Sequence, residues 1–208
     1  MRIYRKISQT LGILLAASLI FTACSKDKED PIVDDTEEET EVYPVEKPLA
    51  EFLSLSGLDQ KSEAGSEESF HSFGIEFTPK VKGMLKAIVI DVPGIGGEPF
   101  PVVLREKGGS ASSSFEVPRA RGKLPSRLEL SSPIILQAGK TYTLTYEGDS
   151  YYERSRNDGQ VPDFPITVNN ITFNTTILRY NGSGISPFII EGGVYFYGDM
   201  DFEFQQID

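Results

Sequence analysis

The chain has 208 residues, 31 acidic and 20 basic, with a formal net charge of −11, one cysteine, one histidine and no tryptophan. A surplus of acid on this scale argues against a nucleic-acid binder, which needs a net basic face. A single cysteine excludes an intrachain disulfide, and one histidine without a spare cysteine leaves no ordinary zinc-ligand set.

The chain opens with three cations, Arg2, Arg5 and Lys6, then an apolar run from Leu11 to Phe21, then Phe21-Thr22-Ala23-Cys24. A basic start, a short apolar stretch and small residues at its end predict an export signal over residues 1–23, because the stretch is too short for a membrane span. Its last four residues resemble the bacterial lipobox, in which the cysteine is acylated and becomes the mature N-terminus; Phe21 stands where leucine is usual. The resemblance implies lipidation at Cys24 and a membrane partner held through that lipid. The rival reading is a buried free thiol behind a plain secretory signal. Cleavage before Cys24 would remove three basic residues and no acidic one, leaving −14.

Residues 24–48 carry ten acids against three bases. A tract so dense in one charge and so poor in apolar surface cannot offset its ordering entropy, which predicts a disordered tether. The acidic stretch after the cysteine resembles the surface-export signal of lipoproteins from Gram-negative gut anaerobes, and Ser25 fits outer-membrane sorting. The implied location is the outer membrane, facing the cell exterior.

Residues 49–208 are long enough for one domain with a sizeable core, and they read as strands and turns. Phe73, Ile75 and Phe77 alternate with Ser72, Gly74 and Glu76, the period of a half-buried strand. Met84–Val92 is apolar on both faces, as in a central strand. Pro93-Gly-Ile-Gly-Gly97 breaks the chain before a strand from Phe100 to Arg105. Gln137-Ala-Gly-Lys140 predicts a turn, after which Tyr142, Leu144 and Tyr146 share one face and Thr141, Thr143 and Thr145 the other. Further strands are predicted at Ile166–Phe173, Ile177–Tyr180, Phe188–Ile190, Val194–Tyr197 and Met200–Phe204. In the last, Met200, Phe202 and Phe204 point inward, and Asp199, Asp201 and Glu203 point outward. Apart from a turn near Leu58–Glu68 no helical period emerges. Many short strands with Gly/Pro punctuation predict an all-β antiparallel sandwich or barrel.

Three motifs then carry a family resemblance: Phe73-Gly-Ile-Glu-Phe-Thr-Pro79, Leu136-Gln-Ala-Gly-Lys-Thr-Tyr-Thr-Leu-Thr-Tyr146 and Tyr195-Phe-Tyr-Gly-Asp-Met-Asp-Phe202. Their order resembles the bacterial surface domain of unknown function numbered 4082, over most of residues 70–204. That resemblance implies a jelly-roll sandwich shaped like a carbohydrate-binding module, and brings no catalytic residues with it. Glu98–Pro125 and Asn169–Gly184 match it poorly.

Signals of chemistry are sparse. His71 shares the parity of Phe73 and is expected to cap a strand face, and no nucleophile elbow accompanies it. Gly94–Gly97 lacks a P-loop lysine and reads as a hairpin turn. Paired carboxylates could serve a glycosidase, but Asp199, Asp201 and Glu203 fall on a face expected to be solvated. Asp149, Asp158 and Asp163 form no defined calcium loop. Asn170, Asn174 and Asn181 open glycosylation-like strings that read as ordinary turn and strand residues.

Two segments stand out. Tyr151–Pro165 is expected to be a loop combining Tyr151 and Tyr152 with Arg154, Arg156, Asn157 and Asp158. Aromatic faces pack on the C–H face of a sugar, while Arg, Asn and Asp hydrogen-bond its hydroxyls; equally, the tyrosines could continue a strand into the core. Arg119–Arg127 gathers four cations that could meet an anionic glycan or phosphate, or serve as a solvated turn. The reading is a lipid-anchored surface sandwich that binds an extracellular ligand, foremost a glycan, without catalysis or cofactor. Its rivals are an adhesive or structural protein binding another surface protein through its edge strands, and a carboxylate-based hydrolase.

Overall fold

Alternating apolar residues lay down most of the domain as antiparallel strands. The computed structural model describes residues 42–208, apart from 66–69, 95, 123 and 182–187. Cys24 lies outside the described residues. In chain order the elements are β1 (Val45–Glu46), α1 (Leu49–Ser56), β2 (Gln60–Gly65), β3 (Phe70–Pro79), β4 (Gly83–Asp91), β5 (Phe100–Glu106), β6 (Ser112–Val117) and β7 (Ser126–Leu136). They continue with β8 (Tyr142–Gly148), β9 (Ser150–Ser155), β10 (Ile166–Val168), β11 (Ile171–Asn181), β12 (Phe188–Glu191), β13 (Tyr195–Tyr197) and β14 (Asp199–Gln206).

One sheet runs β1-β14-β4-β7, and a larger one runs β10-β11-β3-β8-β5-β6 with β12 added on β11. A small third sheet runs β13-β9-β2. The two larger sheets pack face to face as a sandwich. Phe77 of β3 meets Phe202 of β14 across the interior, ring centroids 4.7 Å apart. Tyr142, Leu144 and Tyr146 are buried while their threonine neighbours are half-buried, so the β8 alternation predicts the right face. Met200, Phe202 and Phe204 are likewise buried.

The helix was not foreseen. It plugs one end of the sandwich with Phe52, whose ring lies 4.4 Å from Phe173 and 5.6 Å from Phe196. Gly57 ends it with φ 71°, its N–H reaching back to the helix carbonyls. The expected strand Ile166–Phe173 is instead a hairpin, β10 and β11, turning at Asn169 and Asn170. Asn169 sits at φ 49°, a conformation Asn tolerates better than most residues.

The folded domain also begins earlier than Leu49. Val45 and Glu46, within the segment expected to be tether, pair with Gln205 and Phe204 of β14. The Glu46 carboxylate accepts from the Asn170 backbone N–H at 3.2 Å and from its side-chain amide at 2.6 Å. Tyr43 donates its hydroxyl to Asp208. An acid-rich composition hid this piece because main-chain pairing, rather than apolar burial, docks it.

The larger surprise is the acidic face of β14. Asp199 and Glu203, expected outward and solvated, are buried, and Asp201 is half-buried. Cations from distant segments cover them. Arg127 of β7 donates to both Glu203 oxygens (3.2 and 3.0 Å), and Lys47 reaches the same group at 3.0 Å. These partners hold the Glu203 carboxyl below its ordinary range, the Arg127 hydrogen bonds foremost. Asp201 has a different environment: its Oδ1 accepts from the N–H groups of Leu49 (3.1 Å) and Phe202 (2.8 Å). Burial outweighs those bonds and pushes its carboxyl up to about 6.

A stability effect with a definite sign follows. A raised folded pKa means the folded state holds the proton more tightly than the unfolded chain, whose aspartate titrates near about 3.9. The contribution of Asp201 is therefore fully present below pH ~4 and lost as pH rises toward ~6, a change of about 3 kcal/mol. Asp201→Asn keeps the accepting oxygen and removes the charge. Measured by denaturant unfolding, the wild type should lose stability relative to this variant between pH ~4 and ~6. A difference that stays flat with pH would show that Asp201 is solvated.

Candidate functional site

The small sheet β13-β9-β2 carries half of the six residues expected to bind a ligand. Tyr151 to Ser155 belong to strand β9, paired on one side with β2 and on the other with β13, so the segment expected as one loop is loop only from Arg156 onward. This placement divides the expected ligand residues into two sets.

Three of them are engaged inside the fold. Tyr151 packs on Phe73 at 4.4 Å between ring centroids and on His71 at 5.9 Å; burial, then the nearby Glu153 charge, raises its hydroxyl pKa. His71 is buried at the end of this stack, the face position expected of it. Tyr152 lies beneath the Lys61 ammonium, 3.3 Å from its ring centroid. Arg154 reaches the buried Asp199: Nε donates to Oδ1 at 2.9 Å and Nη2 to Oδ2 at 2.7 Å. Lys61 completes the group, 3.2 Å from Asp199 and 3.1 Å from Asp91. Buried charge is tolerated where it is paired and hydrogen-bonded, and here it ties the small sheet to β14 and β4.

The chain passes from the small sheet into the sandwich at Gly198. Its φ is 75°, and its N–H donates to the Tyr152 carbonyl at 2.8 Å. A Cβ there would overlap the Tyr146 hydroxyl, so the step between sheets requires glycine on two counts. That hydroxyl is fully buried, and burial above all raises its pKa.

The second set faces solvent. Arg156, Asn157 and Asp158, with Gly57 and Asp59, line an open depression of about 290 Å³. Arg156 is fixed: Nε donates to Asp158 Oδ1 at 2.8 Å and Nη1 to the Ser56 carbonyl at 3.1 Å. Asp158 also accepts from the Gln160 N–H, and these bonds, Arg156 first, hold its carboxyl far below the usual range. Asn157 is exposed, and its amide makes no hydrogen bond among the described residues. It presents a free donor and a free acceptor beside a pre-set ion pair.

An aromatic row that the sequence signals did not single out as binding runs along the same small sheet. Tyr195, 39% exposed, stands 5.9 Å from Tyr197, which stands 5.9 Å from Tyr151. Glu153 lies opposite Tyr197, and Ser155 opposite both Tyr195 and Gln60. Burial and then the Glu153 charge push the Tyr197 hydroxyl up to about 12, so it stays a protonated donor at neutral pH. Ser155 directly precedes Arg156, so the polar turn begins where the tyrosine row ends.

Two cations of the segment Arg119–Arg127 are engaged within the fold, and Lys123 lies outside the described residues. Arg119 pairs with Asp149 at 3.2 Å and lies over the Phe100 ring, and Arg127 pairs with Glu203 and Glu129. Arg121 is exposed. Among the described residues no group of three or more His, Cys, Asp or Glu is placed to hold a metal ion, and no helix is long and apolar enough to cross a membrane. Comparison with protein-family models, curated proteins and solved structures finds no match to the chain.

Proposed function

We propose that the chain is a lipid-anchored surface protein, held through Cys24 on the outer face of the outer membrane, whose sandwich binds an extracellular glycan without catalysing a reaction. The observation carrying this reading is the half-exposed Tyr195 of β13, paired opposite Ser155, whose chain runs on into the open depression around Asn157. A phenol ring offers a flat apolar face and a polar tip. The neighbouring Asn157, Asp158 and Asp59 supply the donor and acceptors that sugar hydroxyls need. Loops and edges held by a rigid scaffold are where binding groups concentrate. The jelly-roll family resemblance points the same way by analogy.

The platform assignment moves from Tyr151 and Tyr152 to Tyr195, because packing against Phe73 and the Lys61 ammonium occupies the first two. Screening a soluble fragment of residues 42–208 against a glycan array is the decisive test. For any glycan that binds, Tyr195→Ala and Asn157→Ala should each weaken affinity by about 0.5–3 kcal/mol, the span of neutral to charged hydrogen bonds, and leave the unfolding midpoint in place. A fragment that binds no glycan, or a bound glycan indifferent to both substitutions, would refute the assignment.

A further inference from the structure

The edges of the two large sheets differ in a way that singles out one of them. β1 has two residues, β10 three and β12 four, too short to template a partner. β7 carries Pro133, and its pairing with β4 is interrupted by a register shift between Leu85 and Ala87. In the small sheet, the edge strand β2 bears Lys61 and Glu63. Short strands, proline, irregularities and charge are the devices that keep sheet edges from pairing with other chains. β6 has none of them except Glu116. It is a regular six-residue strand, SSSFEV, paired with β5 along one side only.

The side chains around β6 define what would pair with it. Arg105, Ser112 and Glu116 lie on one face of the sheet, Arg105 directly opposite Ser112 and Glu116 opposite Pro101. All three are exposed, and neither Arg105 nor Glu116 makes an ion pair among the described residues. Phe115 and Val117 lie on the other face, toward the core. Two open depressions flank the strand, of about 350 Å³ beside Phe115, Leu128 and Leu130 and of about 280 Å³ beside Leu104, Ile134 and Ile135.

We propose that β6 pairs antiparallel with β6 of a second copy of this chain, about a two-fold axis through Ser114, so that the larger sheet runs on from one copy into the other. A two-fold perpendicular to the sheet keeps inner faces inward in both copies, so residues of like parity must face each other. The register centred on Ser114 places Ser112 opposite the second copy's Glu116 and Ser113 opposite its Phe115. Strands lie ~4.8 Å apart, so Arg105 is two strands, about 10 Å, from that glutamate. The intervening Ser112 is small enough for the guanidinium to reach over it. Symmetry makes the ion pair twice, and each Phe115 lies over a serine rather than a second phenylalanine. The strand brings one acid per copy to the axis region, so an acidic domain meets little self-repulsion there.

The test uses the full chain in detergent, followed by sedimentation over a concentration series. A reversible dimer is expected. Ser114→Lys sets like charges against each other at the axis and should leave a monomer with an unchanged unfolding midpoint. Arg105→Glu and Glu116→Arg should each raise the dimer dissociation constant about tenfold, because two attractive cross-strand pairs become repulsive. The charge-swapped double variant should restore the wild-type value, a recovery that mere loss of folding could not give. A wild-type chain that stays monomeric throughout would overturn the proposal, as would a dimer indifferent to Ser114→Lys. So would a β6 edge whose amides gain exchange protection only on adding a foreign extended polypeptide. The outcome is independent of the glycan reading, whose residues lie on the small sheet and the segments that adjoin it.

Discussion

Arg154→Met should destabilise the domain by about 3–5 kcal/mol, the penalty for removing one partner of a buried charge pair. Asp199 is 2% exposed, and Arg154 grips both its oxygens from β9. Methionine keeps most of the apolar stem and removes the guanidinium. The carboxylate is then left with Lys61, which it shares with Asp91. Adding Asp199→Leu to Arg154→Met should recover most of the loss, since replacing a buried pair with apolar side chains is often neutral. Denaturant unfolding of the two singles and the double decides it. A single variant close to wild type would mean that Lys61 alone suffices for Asp199, and that Arg154 is free to serve a ligand after all.

That cluster also shows where the sequence stops being informative. β3, β8 and β14 are legible because each presents one face to a shared core, so apolar residues recur at period two. Nothing comparable marks β9, whose residues are all half-buried and whose two sides both carry tyrosines and charges. β6 and the exposed stretch of β7 are edge strands rich in serine, and their main-chain pairing leaves no apolar signature. The helix is a single eight-residue segment, LAEFLSLS, in which Phe52 is the one fully buried apolar anchor.

The site was legible only in part, for a related reason. A tyrosine-arginine-asparagine-aspartate run is visible in any reading of residues 151–158. Whether each member meets solvent or the fold depends on partners far away in the chain. Arg154 is taken by Asp199, 45 residues on, and Tyr152 by Lys61. Asn157 and Asp158 escape because the turn carries them past the end of β9. Tyr195 was placed on a strand by its alternation, yet only the three-stranded sheet at the sandwich's margin leaves its ring half in solvent. The buried acids of β14 fail the same way: composition says acids are exposed, and long-range cations override it.

Leu144→Ala should cost about 2–5 kcal/mol, the range for truncating a buried leucine, while Thr143→Ala should cost about 0.5 kcal/mol or less. β8 lies between β3 and β5, and Leu144 stands opposite Ile75 on one side and Leu104 on the other. All three are at most 4% exposed, so the missing atoms leave a cavity that rigid neighbouring strands cannot close. Thr143 points to the other face, between Glu76 and Arg105, where water can replace whatever its methyl touches. That face is not open everywhere. Two residues along, β3 approaches so closely that a Cβ on Gly74 would overlap the Leu144 carbonyl and the Thr145 methyl. Thr145→Ala should therefore fall between the other two variants, losing contacts against a glycine backbone. Chemical denaturation of the three single variants gives the order directly. Equal losses at 143 and 144 would mean that the threonine face is covered as fully as the leucine face, and the sandwich would then need a third layer over β8.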